Sequence, residues 1–299
     1  MNNRQHLSWG ATALWERLAP LLPGIAVEVV ARADSTNTRL LDRARNSSGL
    51  RDAPITRPGE IDAGHGGPRT PHGRRRQDLQ PCLLVAEEQT QGRGRLGRDW
   101  VASAGASLTF SLALPLAPAQ WSGLSLAVGL ALAEALDPAE ASAAPRIGLK
   151  WPNDLWLLES PGRGRKLGGI LIETVSVGEH RVCVIGVGLN VLPQPAEGLA
   201  HGYACLRELD PEISAPRALA LVTEPLVRAI RRFESEGFAT FVAAYRQRDL
   251  LLGQPVTVAA PEPFDGEAEG VDAHGALLVR SGEVHSVVSG EVSVRLHRA

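Results

Sequence analysis

Cysteine is scarce in this chain of 299 residues: only Cys82, Cys183 and Cys205 occur. An odd number with no metal-ligand spacing excludes a complete disulfide framework and a cysteine-built zinc site. Two of the three sit in apolar, strand-like runs and read as reduced core residues. An excess of charge of one sign is lacking too, since 31 basic against 33 acidic residues leave a formal net charge of -2. That balance removes the bulk electrostatic case for nucleic acid or an anionic membrane. No apolar run is long enough to span a bilayer, no internal repeat is evident, and no export or lipidation signal is recognised, so a cytoplasmic location is expected. What is present is a 44% hydrophobic complement, ample for one large domain and one small one.

Residues 11–22 predict one short helix, ended by Pro23-Gly24. Too little chain precedes the next element for a helix-turn-helix module. Ile25 to Ala31 predicts a strand running into Asp34-Ser35-Thr36-Asn37, residues that favour caps and turns, and Thr38 to Arg45 is the helix they start. Capping accounts for Ser35, Thr36 and Asn37 locally; three small hydrogen-bonding side chains at a strand–helix corner also suit a neutral polar ligand. Residues 46–80 are rich in Gly, Pro, Arg and Asp without apolar periodicity, which predicts a disordered insertion. Its Arg74-Arg75-Arg76 reads as a solvated run.

The stretch Glu87 to Trp100 (EEQTQGRGRLGRDW) organises the rest. It lies between strand-like runs at Cys82–Ala86 and Ser107–Leu114, and combines three glycines with three arginines. Such a loop can fold over an anion and neutralise it with guanidinium groups; a solvated charged hairpin is the plainer reading. The literal Gly92-x-Gly94-x-x-Gly97 matches a dinucleotide fingerprint, but the fingerprint needs its last glycine to open a helix, and here a strand follows.

Trp121 to Leu136 is apolar almost all round and predicts a buried helix. In Ile147 to Leu157 a strand delivers Lys150, Trp151-Pro152 turns the chain, and Asn153-Asp154 opens another strand. Lys166 to Glu173 and Val182 to Val191 are further strands interrupted by glycines, which mark either bulges or a ligand lying along the sheet beside Lys166 and Asn190. Residues 216–232 and 236–248 predict two helices. Beyond Gly253, short β-type runs at 255–258, 264–268, 277–279 and 292–296 predict a small all-β module of the SH3-like kind.

Five segments in order, Ser35-Thr36-Asn37, Gln89 to Trp100, Lys150-Trp151-Pro152-Asn153-Asp154, Lys166 to Ile170 and Gly186 to Asn190, resemble the bacterial biotin–protein ligases. The resemblance covers about residues 25–299 apart from the insertion, which departs from the family pattern. It implies an α+β fold, a mixed sheet backed by helices, with residues 1–24 as a helical lead, 25–249 as the catalytic domain and 250–299 as an SH3-like barrel. It implies that biotin and MgATP give biotinyl-5′-AMP, whose biotin passes to a lysine of the biotin carboxyl carrier protein of acetyl-CoA carboxylase. On the matching positions, Arg93, Arg95, Lys150, Asp154 and Lys166 would be catalytic. Ser35, Thr36, Asn37, Gln89, Arg93, Gly94, Arg95, Lys166 and Gly169 would hold biotin, with Arg93 and Arg95 closing over the adenylate. Arg98, Trp100, Asn153 and Asn190 would contact the nucleotide, and Asp154 would either hold Mg²⁺ through water or orient the incoming lysine. The repressor-type DNA-binding module is not recognised, so no DNA partner is expected; a homodimer through sheet edges is compatible with the resemblance. A lipoate–protein ligase and a non-catalytic biotin- or carrier-binding protein are the rival readings.

Overall fold

The apolar runs assemble into one large sheet in a computed structural model that describes residues 7–49, 79–138, 144–194, 202–260, 262–288 and 293–296. Helix α1 (Ala11–Leu18) leads to β1 (Ala26–Ala33), α2 (Thr36–Gly49) and β2 (Cys82–Gln89). The two-residue strands β3 (Gly92–Arg93) and β4 (Asp99–Trp100) follow. Then come β5 (Ser107–Pro115), α3 (Leu124–Leu136), β6 (Ile147–Lys150), β7 (Asp154–Ser160), β8 (Arg163–Val177) and β9 (His180–Asn190). The seven-stranded sheet has the order β1-β2-β5-β9-β8-β7-β6. Its β1–β2 pair is parallel and its other pairs antiparallel, the mixed sheet that was expected. A parallel pair needs a crossover, and α2 lies in that connection.

Helices cover both faces. Alternate residues of β2 divide between two cores: Leu83 and Val85 join the larger one with α3 and α4 (Ala215–Glu236), whereas Cys82 and Leu84 pack with Leu40, Leu41 and Ala44 of α2. The three cysteines are buried and free. After α5 (Val242–Arg246) the chain forms β10 (Pro255–Ala259), β11 (Phe264–Val271), β12 (Leu277–Ser281), β13 (Glu283–Val287) and β14 (Ser293–Leu296). These make a separate five-stranded antiparallel sheet, β13-β12-β11-β10-β14.

Several element ends differ from expectation. Helix α1 stops at Leu18 rather than residue 22, just before Pro20, whose ring and missing N–H do not continue a helix. Helix α2 runs past Arg45 to Gly49, so residues 46–49 are helical; the rest of the expected insertion, 50–78, lies outside the described residues. Helix α3 begins at Leu124, not Trp121, because Gly123 sits in the left-handed region at φ 85°. The helix expected over 236–248 is a 3₁₀ turn at Ala239–Phe241 followed by α5, since Gly237 at φ 71° ends α4. Strand β13 was not anticipated; its mostly exposed residues give no core alternation. No helix among the described residues is long and apolar enough to cross a membrane.

The small sheet is tied to the large one at the strand end that carries Lys150. Trp151 Nε1 donates to Gly275 O at 3.1 Å, and Leu149 exchanges backbone hydrogen bonds with Arg248 and Leu250 at 2.7 and 3.0 Å. Asp249 is half-buried at this junction: Oδ1 accepts from Leu251 N, while the buried Oδ2 meets no hydrogen-bond donor among the described residues. Burial pushes its carboxyl from 3.8 up to about 6, against the opposing pull of backbone N–H groups and Arg246. The native state therefore holds a proton that the unfolded chain has lost over the window between those values, so this group lowers stability as pH rises through it. Asp249→Asn should remove the penalty, adding roughly 1–3 kcal/mol at about pH 7.5 and little near pH 4. Thermal unfolding of both proteins at the two pH values checks this; an equal shift at both would mean that Asp249 is not the titrating group.

Candidate active site

The β1–α2 corner, the end of β2, the β3–β4 hairpin, the 150–154 turn and strands β8 and β9 enclose a cavity of about 170 Å³. It is lined by Ser35, Thr36, Asn37, Gln89, Arg93, Gly94, Arg95, Arg98, Trp100, Lys150, Asn153, Asp154, Lys166 and Gly169. Of the residues singled out in the sequence, only Asn190 is not on the wall. Its side-chain amide donates to Lys166 O and Ala204 O at 3.2 and 2.9 Å, so the structure gives it a backbone-bracing place in contrast to the expected nucleotide contact.

One end of the cavity is neutral and polar. Sheet register sets Leu84, Ser111, Gly186 and Leu171 in one row across β2, β5, β9 and β8, and the first turn of α2 lies over it. Asn37 Nδ2 donates to Leu171 O at 3.1 Å and to Glu173 Oε2 at 2.9 Å, while its Oδ1 accepts from Ser111 Oγ at 2.6 Å. Gly186 makes this possible, because a Cβ there would overlap the Asn37 amide. Thr36 donates through its backbone N–H and its hydroxyl to Gln89 Oε1 at 2.7 and 3.1 Å. Ser35 caps the helix, accepting from Thr38 N. Capping and site-building thus coexist in these three residues. Asn37 is spent on the protein, whereas the Ser35 hydroxyl hydrogen and the Gln89 amide nitrogen are left for a ligand.

The neighbouring row, Ala86, Thr109, Gly188, Gly169 and Asp154, forms the floor. The β9 glycines are not bulges, since the β5–β9 register runs through Gly186 and Gly188 unbroken, whereas the β7–β8 register shifts next to Gly168. Gly188 makes room for the Trp100 indole, which a Cβ would penetrate. Trp100 Nε1 is buried without an acceptor among the described residues, and a ligand oxygen would satisfy it.

The other end is cationic. Lys166 Nζ donates to Asp154 Oδ1 at 2.8 Å, Arg95 Nη1 to Asn153 Oδ1 at 3.3 Å, and Asn153 Nδ2 to Ile170 O at 2.8 Å. Lys150 is buried with its ammonium 5.3 Å from the Trp156 ring centroid. Burial lowers the Arg95 guanidinium from its usual range, against the pull of Asp154 and with a small push from Arg98. Arg93 turns to Glu173, with Nη2 at 3.1 and 2.7 Å from the two carboxylate oxygens. Five cations therefore face the cavity against two lining carboxylates, Asp99 and Asp154. The hairpin is a tight one: Gly94 N donates to Arg98 O at 2.6 Å, and Leu96 and Gly97 take φ of 57° and 69°. Beyond it the chain enters β4, which rules out the dinucleotide geometry.

No group of three or more His, Cys, Asp or Glu that could hold a metal exists among the described residues. Asp154 is the one predicted metal contact, and its Oδ1 already serves Lys166. Sequence reasoning missed Ser111 and Glu173. Each is a polar residue within a largely apolar strand run, SLTFSLAL and GGILIETV, where Ser107, Thr109 and Thr174 are polar too, so the available signal was weak.

Residues 74–190 match the model of the "Biotin/lipoate A/B protein ligase family", and residues 251–295 that of the "Biotin protein ligase C terminal domain". The chain is 32% identical over 281 residues to the bifunctional ligase/repressor BirA of Escherichia coli, covering 92% of this chain and 75% of that one. It is also 32% identical to the biotin–[acetyl-CoA-carboxylase] ligase of Mycobacterium tuberculosis, covering 96% and 92% of the two chains. Among solved structures, the biotin protein ligase from Aquifex aeolicus in complex with biotin and ATP superposes with a TM-score of 0.65 at 26% identity. That match covers 92% of this chain and all of the other.

Gly186→Ala tests the polar end. The added methyl should drive Asn37 from Ser111 and Leu171, costing roughly 2–4 kcal/mol of stability through strain and unsatisfied buried groups. Urea unfolding reads this directly, and wild-type stability would show that Asn37 does not pack over Gly186.

Proposed function

The chain belongs to the biotin protein ligase family and is a biotin–[acetyl-CoA-carboxylase] ligase, and we propose that this cavity performs the reaction in two steps. In the first, a biotin carboxylate oxygen bonds to the α-phosphorus of ATP, the bond from that phosphorus to the bridging oxygen breaks, and pyrophosphate leaves. In the second, a neutral lysine amine of the carrier protein attacks the acyl carbon, AMP departs, and the amine's proton passes to a base or to solvent. The observation that carries the reading is the cavity's polarity: five cations against two carboxylates along its wall, with a neutral hydrogen-bonding corner at the Ser35–Asn37 end. A carboxylate approaching a triphosphate meets like charge, and fixed cations offset that repulsion best as charge shifts in the transition state.

The Ser35 hydroxyl and the Gln89 amide, each anchored through α2, are placed to donate to the ureido carbonyl. Lys166, steered by Asp154 across 2.8 Å, is assigned to the biotin carboxylate and the α-phosphate. Lys150, Arg95 and Arg98 serve the phosphates, with Trp100 and Asn153 on the nucleotide side. Arg95 closes over the adenylate and helps exclude water from a mixed anhydride prone to hydrolysis. Arg93, expected to close with it, instead has its guanidinium on Glu173. Mg²⁺ fits as an ion carried in by ATP, held mainly by phosphates with Asp154 as one ligand, and there it supplies charge neutralisation. The acceptor is the biotin carboxyl carrier protein, and the setting is the cytoplasm. A lipoate ligase is the poorer reading, because a dithiolane ring offers no hydrogen-bonding partner to Ser35 and Gln89.

ATP–pyrophosphate exchange by the purified protein, with biotin, lipoate or octanoate, tests the reading. Stimulation by biotin alone is expected; stimulation by lipoate would move the protein to the sister activity, and silence with all three would leave a binding protein. In the same assay Lys166→Ala should lower biotin-dependent exchange about 10²- to 10³-fold with an unchanged thermal midpoint. Near-normal exchange would remove Lys166 from the chemistry.

A further inference from the structure

Glu173 lies on β8, on the sheet face that carries Leu171 and Gly169, yet it is not on the cavity wall. A half-buried carboxylate on a sheet face needs partners, and this one has two from distant parts of the chain. Its carboxylate takes Arg93 Nη2 at 2.7 and 3.1 Å, and its Oε2 also takes Asn37 Nδ2 at 2.9 Å. Arg93 is the second residue of β3, where the hairpin leaves the sheet; Asn37 is in the first turn of α2. Each guanidinium has five donors in a rigid fork, so a grip on Nη2 fixes the side chain and leaves Nη1 and Nε unspent. Asn37, held in turn by Ser111 and Leu171, cannot shift without unsatisfying buried groups. The contact therefore ties a stem that could move to a corner that cannot.

We propose that Glu173 is the anchor of the arginine hairpin: a positioning residue, not a catalytic one, that fixes the stem through Arg93 against Asn37 so that Arg95 to Arg98 form a tip moving on a fixed base. The proposal rests on the ligase reading for its effect on biotin, but the anchoring itself does not. With the stem fixed, the Arg93 and Gly94 wall is set before ligand arrives, beside a Gln89 already held by Thr36, and binding does not have to order it. Loss of the anchor therefore weakens biotin binding while leaving Lys150, Lys166 and Asp154 in place for the chemistry.

Two readouts on the full chain separate the claims. In the unliganded protein, trypsin cleavage after Arg95 and Arg98, located by mass spectrometry, should be about fivefold faster in Glu173→Gln than in wild type. In pyrophosphate exchange the same variant should raise the KM for biotin about five- to tenfold, with kcat within about twofold. In an Arg93→Met background Glu173→Gln should change neither quantity further, since the two residues act through one contact. Wild-type cleavage and wild-type KM in Glu173→Gln would overturn the proposal, as would full additivity with Arg93→Met. Faster hairpin cleavage from a protein with no biotin-dependent exchange in any form would keep the anchor and sink the ligase reading. Should Glu173→Gln lower the thermal midpoint as a whole, Arg93→Gln cuts the same ion pair from its more exposed side. Unchanged hairpin cleavage in that variant would then overturn the proposal.

Discussion

Five positive side chains around one small cavity are the constraint to which the rest of the site answers. Two like charges about 6 Å apart repel by roughly 3 kcal/mol at an intermediate dielectric, so such a cluster needs internal counterweights before any substrate arrives. The chain supplies a different one for four of them: Asp154 for Lys166, Glu173 for Arg93, the face of Trp156 for Lys150, and the Asn153 carbonyl oxygen for Arg95. Full neutralisation by carboxylates would leave nothing for a phosphate to gain. Partial neutralisation keeps the cations where they are and keeps a surplus, and burial, more than the neighbouring charge of Arg98, lowers the Arg95 guanidinium.

Those counterweights act only because the sheet fixes where they stand. Gly186 and Gly188 lie two residues apart on the same face, and each gives up its side chain to a residue from another element, Asn37 above one and Trp100 above the other. The glycines thus set how closely the α2 turn and the hairpin approach the floor. The separate antiparallel sheet joins the same scaffold from the far side, where Gly275 receives the Trp151 indole N–H and abuts Gly123 at the start of α3. Lys150 and Asn153 flank the Trp151–Pro152 turn, so the small sheet bears on the catalytic geometry itself.

Most strands and nearly all of the cavity wall were legible in the sequence, because each motif sits at the end of an apolar run whose length and glycines mark a strand; the mixed character of the sheet came from the family resemblance, and the short β3 and β4 and the exposed β13 left no such run. Helix ends were less legible: Pro20, Gly123 and Gly237 move them by backbone conformation, which periodicity does not register. Ser111 and Glu173 were hidden for another reason. A polar residue inside an apolar strand is visible, but its partner is set by sheet register and by a helix packed across it, with Ser111 and Asn37 74 positions apart. Asn190 stands in a motif yet lies off the cavity wall and gives its amide N–H groups to two backbone carbonyls. Proximity to a motif says that a residue is near the site, whereas hydrogen-bond satisfaction decides whether it has anything left for a ligand.

That distinction also divides the labour within the hairpin. Arg93 and Arg95 are two residues apart and the same in chemistry, but one meets a carboxylate in a short, charge-assisted contact and the other a neutral amide oxygen at 3.3 Å. An ion pair adds the attraction of two full charges to its hydrogen bonds, so Glu173 gives the stem a counter-charge that Asn153 does not give the tip. On the proposed two-step mechanism a reactive acyl phosphate uses both: the stem holds the recognition wall in register for the first substrate, and the tip cycles between admitting ATP and the acceptor lysine and covering the anhydride. Equally tight pairing of both arginines would resist that cycle, and equally loose pairing would leave the intermediate open to water.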